Sequence, residues 1–213
     1  MKEPIFNGAY MMTGSHKKYN MYMSKHAKWL KMVEYEFLKE KRIDRIINAK
    51  SLDEVYNILI ECTFLGEFLA YQYMTDFNYS PVVNFDENTF VKAGIGAIRG
   101  IKKCFIDLGK YTYEDCIRFT QDNLLKYQDL YGFNSFKNLF GRELKLIDLQ
   151  NCFCETDKYL RVKMPEIAVD NIRIKQKFTK PKSKIDFYFP PKWKINNKIK
   201  KCNIENSQEL ILF

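Results

Sequence analysis

The 213-residue sequence has two histidines, two tryptophans and six prolines, and nowhere a run of eighteen apolar residues. Each shortage excludes something. Without such a run there is no candidate membrane-crossing helix. The first twenty residues lack the charged-then-apolar order of a secretion signal, so the chain reads as soluble, unexported and cytoplasmic. His16 and His26 lie far in sequence from Cys152-x-Cys154, the one close cysteine pair, so no metal site is expected. Of the six cysteines, Cys62, Cys104, Cys116 and Cys202 complete the set, and most stand in apolar segments, where a free thiol acts as a small core residue. Alternating strand patterning is also scarce. Only "KIDFYFPPKWKI" alternates, and Pro190 and Pro191 limit it to an edge strand or an extended arm.

What the sequence does have is helical periodicity and positive charge. "KHAKWLKMVEYEFLKEKRIDRIINA" places Trp29, Leu30, Met32, Val33, Phe37, Leu38, Ile43 and Ile46 at three-and-four spacing, as one amphipathic helix from Lys25. Ser51 with Glu54 forms a capping box for the next helix. A further helix follows Gly66 and ends before Pro81, and a short one is expected over 86–92. Thr112 or Tyr113 opens a helix with acids in its first turn that closes at Gly132. The last helix is read from Ser135 to Val162, with Leu144, Ile147, Leu149, Phe153 and Leu160 as core and Pro165 beyond its end. The formal net charge is +9, and from Arg173 to Lys201 every charged residue but Asp186 is basic. Such a segment favours a polyanionic partner.

Three stretches carry candidate chemistry. "VKAGIGAIRGIKKC" sets Gly94, Gly96 and Gly100 between apolar segments. A dinucleotide turn would need a strand before it, and a P-loop would need G-K-[ST] at its end; neither is present, and no cofactor is expected. A helix-hairpin-helix turn offering backbone amides to a DNA phosphate fits better, with a plain connector as the ordinary alternative. Arg99, Lys102 and Lys103 would add phosphate contacts. In "FLGEFLAYQYMTDFNYSP", Gln72 and Asp76 share a helix face, and Tyr71, Tyr73 and Tyr79 could stack on a base, unless the helix is simply core. In "LKLIDLQNCFCETDKYLRV", Asp148, Asn151, Glu155 and Lys158 form a polar stripe, with Asp148 and Glu155 about 10 Å apart along the axis. A surface ion-pair ladder is the ordinary reading. The apolar bulk on both sides of Asp148 suggests a partly buried carboxylate.

Taken in order, "FLAYQ…TDFNYS", "AGIGAIRGIKKCF" and "LIDLQNCFCETDKY" resemble the alpha-glutamyl/putrescinyl thymine pyrophosphorylase group and the helical domain of 5-hydroxymethyluracil DNA kinases. These are phage and bacterial DNA-base hypermodification proteins similar in fold to helix-hairpin-helix DNA glycosylases, and the resemblance spans roughly Phe6 to Lys175. It implies a mainly α, helix-hairpin-helix glycosylase-like domain over 1–170, followed by a basic, partly extended C-terminal extension over 171–213. It implies a base pocket at Tyr71, Gln72, Tyr79, Gln150 and Asn151, and a catalytic face at Asp148 and Glu155. The interval from Gly94 to Asp148 exceeds that of glycosylases, which keeps Asp76 in contention. DNA contacts fall to Gly94, Gly96, Arg99, Gly100, Lys102, Lys103, Lys192 and Lys194. The implied activity is excision of a hypermodified, 5-substituted pyrimidine from double-stranded DNA in anti-phage defence. Displacement of pyrophosphate from a 5-pyrophosphorylmethyl pyrimidine by an amine is the alternative, and a non-catalytic DNA-binding subunit is the third. Relatives carry a helical portion before "FNGAY"; the resemblance implies that a protein partner supplies it here or that the protein does without it.

Overall fold

The computed structural model describes residues 13–133, 135–170 and 187–199. The chain divides into two compact units, Met1–Asn78 and Tyr79–Phe213. The described residues form helices and turns and no strand, so the segment with Pro190 and Pro191 is not an edge strand: its described part is irregular and leads into a 3-10 turn, Pro191–Trp193. The boundary expected at 170/171 falls where description stops, and Cys202 and the basic residues from Arg173 to Lys184 lie outside the described residues.

In the first unit, α1 (Lys25–Met32) begins where the Ser24 hydroxyl accepts from the Ala27 amide. The expected single long helix is interrupted. A π-helical turn, Val33–Lys39, follows α1; Lys41 is left-handed, and α2 runs Arg42–Ile47. The cause lies in Glu36, whose side chain is buried. Its carboxylate accepts from Tyr19 Oη at 2.8 Å, Lys18 Nζ at 3.1 Å, the Thr63 amide at 2.9 Å and the Thr63 hydroxyl. Widening the helix to an i→i+5 pitch changes which side chains share a face. Leu30, Val33 and Leu38, expected in the core, are exposed, while Trp29, Met32 and Ile46 are buried. α3 (Leu52–Ile60) starts at Ser51, whose hydroxyl accepts from the Glu54 amide; Glu54 reaches the Lys50 amide rather than closing the box on Ser51. α4 (Glu67–Asn78) packs on α3.

In the second unit the expected short helix over 86–92 is absent, and that stretch is irregular. α5 (Ile95–Cys104) starts directly at Gly94, its N-cap. The three glycines therefore do not bend the chain between two helices; Gly96 and Gly100 stand inside α5 on the face against α8 (Leu146–Lys163). At Gly100 the α5 backbone comes so close to the Phe153 carbonyl that a Cβ would overlap it, and at Gly96 a Cβ would meet the Cys154 thiol. α5 and α8 make the most extensive helix pair of the fold. The helix expected from Thr112 is present as α6 (Tyr113–Asp122), with a complete Thr112–Asp115 capping box, and continues after a break at Asn123 as α7 (Leu124–Leu130). The last helix is shorter than expected: residues 139–142 turn back on themselves, with Gly141 at φ +84°, so helix begins only at Leu146.

Two predictions follow from this packing. Gly100→Ala drives a methyl into backbone and costs about 2–3 kcal/mol in urea unfolding. Gly96→Ala meets a thiol that can rotate, and its loss is offset by about 0.5–1 kcal/mol of helix propensity; equal costs at the two sites would disprove the difference. The second concerns acid stability. Burial alone would raise the Glu36 pKa, but its Thr63, Tyr19 and Lys18 donors outweigh burial and hold it below its ordinary value. A depressed carboxylate contributes stability above its unfolded pKa, about 4.3, and loses it as pH falls through the folded value. Glu36→Gln lowers the unfolding midpoint at pH 7 and shrinks the mutant-to-wild-type gap below about pH 4; a gap constant with pH would refute this.

Candidate functional site

Asp148 sits in the first turn of α8, where a carboxylate favours the free amides and the helix dipole. Its Oδ2 accepts from the Lys145 amide at 2.7 Å and from Arg142 Nη1 at 2.6 Å. Oδ1 takes part in no hydrogen bond among the described residues, and the side chain is 23% exposed. One oxygen is thus fixed and the other open. Arg142 is the hub. Its Nη2 donates to Glu87 Oε2 at 2.9 Å, and the guanidinium lies 3.8 Å from the centroid of the Trp193 ring. Trp193 Nε1 donates to Glu87 Oε1 at 3.0 Å, closing a ring of contacts, and Tyr79 meets the same indole edge-on at 5.4 Å. Beside it the Asn88 Oδ1 accepts from Gln121 at 2.9 Å and from the Leu146 amide at 3.4 Å, so loop 86–92 caps α8 instead of forming a helix. Glu87, Arg142 and Trp193 were not singled out from the sequence.

The rest of the α8 stripe separates. Asn151 and Glu155 are exposed, and Glu155 pairs with Lys158 as an ordinary surface ion pair. Gln150 is buried with Oε1 lacking a hydrogen-bond partner among the described residues. The fully buried carboxylate of this helix is Asp157, absent from the sequence-derived set. It pairs with Lys103 at 2.8 Å, both side chains 1% exposed, and with Arg161 at 3.2 Å.

That pairing corrects one expectation outright. Lys103 is not a solvated phosphate contact, because its ammonium is enclosed against Asp157. Lys102 remains exposed, and Arg99 is half-buried with a buried Nε lacking a partner among the described residues. Gly94 caps α5, and Gly96 and Gly100 face α8, so no hairpin of free amides stands at these glycines. Lys194 is exposed. Lys192 donates to the Phe85 carbonyl at 3.3 Å, and burial lowers its pKa.

In the first unit, taken by itself, α4 buries Tyr71 and leaves Gln72 half-buried. Asp76 reaches solvent, yet desolvation by the surrounding chain raises its carboxyl above the ordinary value, and it has no hydrogen bond or ion pair among the described residues. Burial likewise raises the Tyr73 phenol, with a smaller push from Asp76. No group of three or more potential metal-ligating side chains occurs among the described residues, and no described helix is long and apolar enough to cross a membrane.

The family model described as "5-hmdU DNA kinase, helical domain" matches residues 1–169, and the chain belongs to that family. It is thereby linked to DNA base modification. No curated protein and no solved structure matches.

Lys103 supplies the test of the buried cluster. Lys103→Met leaves the enclosed Asp157 with Arg161 but without its nearer cation and costs about 3–5 kcal/mol in denaturant unfolding, whereas Lys103→Met with Asp157→Leu and Arg161→Met, which removes every charge of the cluster, recovers most of it. A single substitution costing under about 1 kcal/mol would show that the pair is not the enclosed contact described here.

Proposed function

We propose that this member of the 5-hmdU DNA kinase helical-domain family acts on a 5-substituted pyrimidine flipped out of double-stranded DNA, breaking its N-glycosidic bond with Asp148 as the reacting carboxylate. The observation that carries the reading is the asymmetry of Asp148: Oδ2 held by Arg142 and the Lys145 amide, Oδ1 open. A carboxylate so oriented can stabilise positive charge developing at the sugar C1′ or accept a proton from attacking water. The C1′–N1 bond breaks, water supplies the new C1′ oxygen, and the base leaves with a proton. The family's description supports a 5-hydroxymethyl-type pyrimidine as the class of base, and anti-phage excision is the setting this activity suits. The sequence's net charge of +9 supports a DNA partner held through phosphate contacts.

A second reading has its own support. A family named for a DNA kinase concerns bases whose 5-hydroxymethyl group is phosphorylated. Such a group is activated for displacement by an amine, with release of phosphate or pyrophosphate, and the same carboxylate could take the amine proton. The chain's own sequence has no G-K-[ST] turn at its glycines, so phosphoryl transfer is not assigned to it.

The experiment incubates the protein with DNA carrying thymine, 5-hydroxymethyluracil, its phosphorylated form, or a glucosylated 5-hydroxymethyl pyrimidine, and scores abasic sites and base mass. Abasic sites in a modified substrate, reduced at least about a hundredfold by Asp148→Asn with DNA affinity unchanged, support excision. A base of altered mass formed only with an added amine supports transfer. Binding without either product on every substrate overturns both and leaves a DNA-binding domain. Asp76→Asn, run in parallel, tests the other carboxylate; loss there with Asp148→Asn active would move the chemistry to α4.

A further inference from the structure

The first unit holds a cavity of about 310 Å³ that the reading of Asp148 does not use. Its walls include Lys18, Tyr22, Lys31, Glu34, Tyr35 and Lys39. The π-helical turn builds it. In an α-helix, residues five apart point about 140° away from each other. In the π turn they stack, and Lys39 comes back over Glu34. Lys31, three residues before Glu34, approaches from the other side. The two ammonium groups therefore converge on one carboxylate, Lys31 at 2.6 Å from Oε2 and Lys39 at 3.2 Å from Oε1.

The charges facing the cavity balance unevenly. Lys18 is tied to the buried Glu36 at 3.1 Å and to Glu40 at 3.5 Å, and Glu40 also meets Arg42. Lys31 and Lys39 share Glu34 alone, which leaves one excess positive charge on that wall. All three of these side chains are more than two-fifths exposed, so their pairing contributes little and exchanges easily for a stronger anion. A phosphate has the charge and the oxygens to take both lysines in place of Glu34. Next to this pair stand aromatic faces: Tyr35 is exposed with the Lys18 ammonium 4.6 Å from its centroid, and Tyr22 is half-buried. A two-lysine clamp beside stacking rings matches a phosphate joined to a base.

We propose that this cavity binds a nucleoside phosphate, its phosphate taking Lys31 and Lys39 in exchange for Glu34 and its base lying against Tyr35 and Tyr22. The nucleotide comes either free or as one unit of a DNA strand. The cavity belongs to the first unit and Asp148 to the second, and the calorimetry here is read independently of the excision or transfer assay.

Titration calorimetry of the full chain tests it with three probes: thymidine 5′-monophosphate, inorganic phosphate and an eight-nucleotide oligothymidylate. Binding of the monophosphate identifies a free nucleotide as occupant, and binding of the oligonucleotide alone identifies a strand. Lys31→Ala with Lys39→Ala weakens whichever nucleotide binds by about tenfold or more. Tyr35→Leu weakens it by about tenfold while leaving inorganic phosphate unchanged. The decisive variant is Glu34→Gln, which removes the competing carboxylate and tightens binding several-fold; a merely structural Glu34 would give no change or a loss. Circular dichroism checks that each variant keeps its helices. The proposal fails if neither nucleotide probe binds at millimolar concentration. It also fails if inorganic phosphate binds as tightly as whichever nucleotide probe binds, or if Glu34→Gln does not tighten binding.

Discussion

The close approach of α5 to α8 is the constraint on which the second unit depends. Gly100 leaves the Phe153 carbonyl no room for a side chain between the helices. One turn along, the same contact encloses Lys103 against Asp157. Close backbone contact and a buried ion pair reinforce each other: the glycines bring α8 near enough for Lys103 to reach Asp157, and the ion pair makes any other spacing costly, because it would leave a charge enclosed without its partner. With α8 fixed along this face, its N-terminal turn is fixed too, and that turn carries Asp148.

Around that turn the contacts come from distant parts of the sequence. Arg142 bridges Asp148 and Glu87, the latter 55 residues away, and Trp193 reaches Glu87 across 106 residues. The guanidinium is nearly enclosed: its two Nη atoms meet carboxylates and its face meets the indole in place of water, while the buried Nε has no hydrogen-bond partner among the described residues. These long-range contacts explain why Asp148 was legible in the sequence and its surroundings were not. Apolar residues on both sides of Asp148 are a local signal, although the helix was expected to begin at Ser135 and not at Leu146, which is what puts Asp148 in a first turn. An arginine after a glycine turn, a glutamate in an irregular loop and a tryptophan after two prolines carry no mutual signal until the chain is folded.

The same division runs through the fold. The helix start at Thr112 or Tyr113 and the N-cap at Ser51 were readable because a helix cap is complete within four residues, although the box expected between Ser51 and Glu54 does not close. The mainly helical class followed from periodicity alone. The π turn was not readable, since it turns on Glu36 meeting Thr63, 27 residues away, and Tyr19. Its consequence was a misassigned face, with Leu30, Val33 and Leu38 at the surface. The glycines failed for a different reason: a G-x-x-x-G spacing serves a tight bend and a close helix contact equally well, and only the partner helix distinguishes them. Within α8 the sequence pointed to the exposed polar stripe, where Glu155 pairs with Lys158, while the enclosed carboxylate, Asp157, lies on the face with Gln150.

What fixes Asp148 also limits the chemistry it could perform. With Oδ2 held by a guanidinium and a backbone amide, the carboxylate has one open oxygen and little freedom to rotate. That arrangement suits charge stabilisation or a single proton transfer at a defined point, and it does not suit a group that must swing between partners. The contact ring adds a second consequence. Trp193 lies between Lys192 and Lys194 in the basic C-terminal segment, and through Glu87 and Arg142 it is linked to the oxygen that anchors Asp148. The placement of Trp193 and the orientation of the Asp148 carboxylate are therefore tied to one shared group, the Arg142 guanidinium.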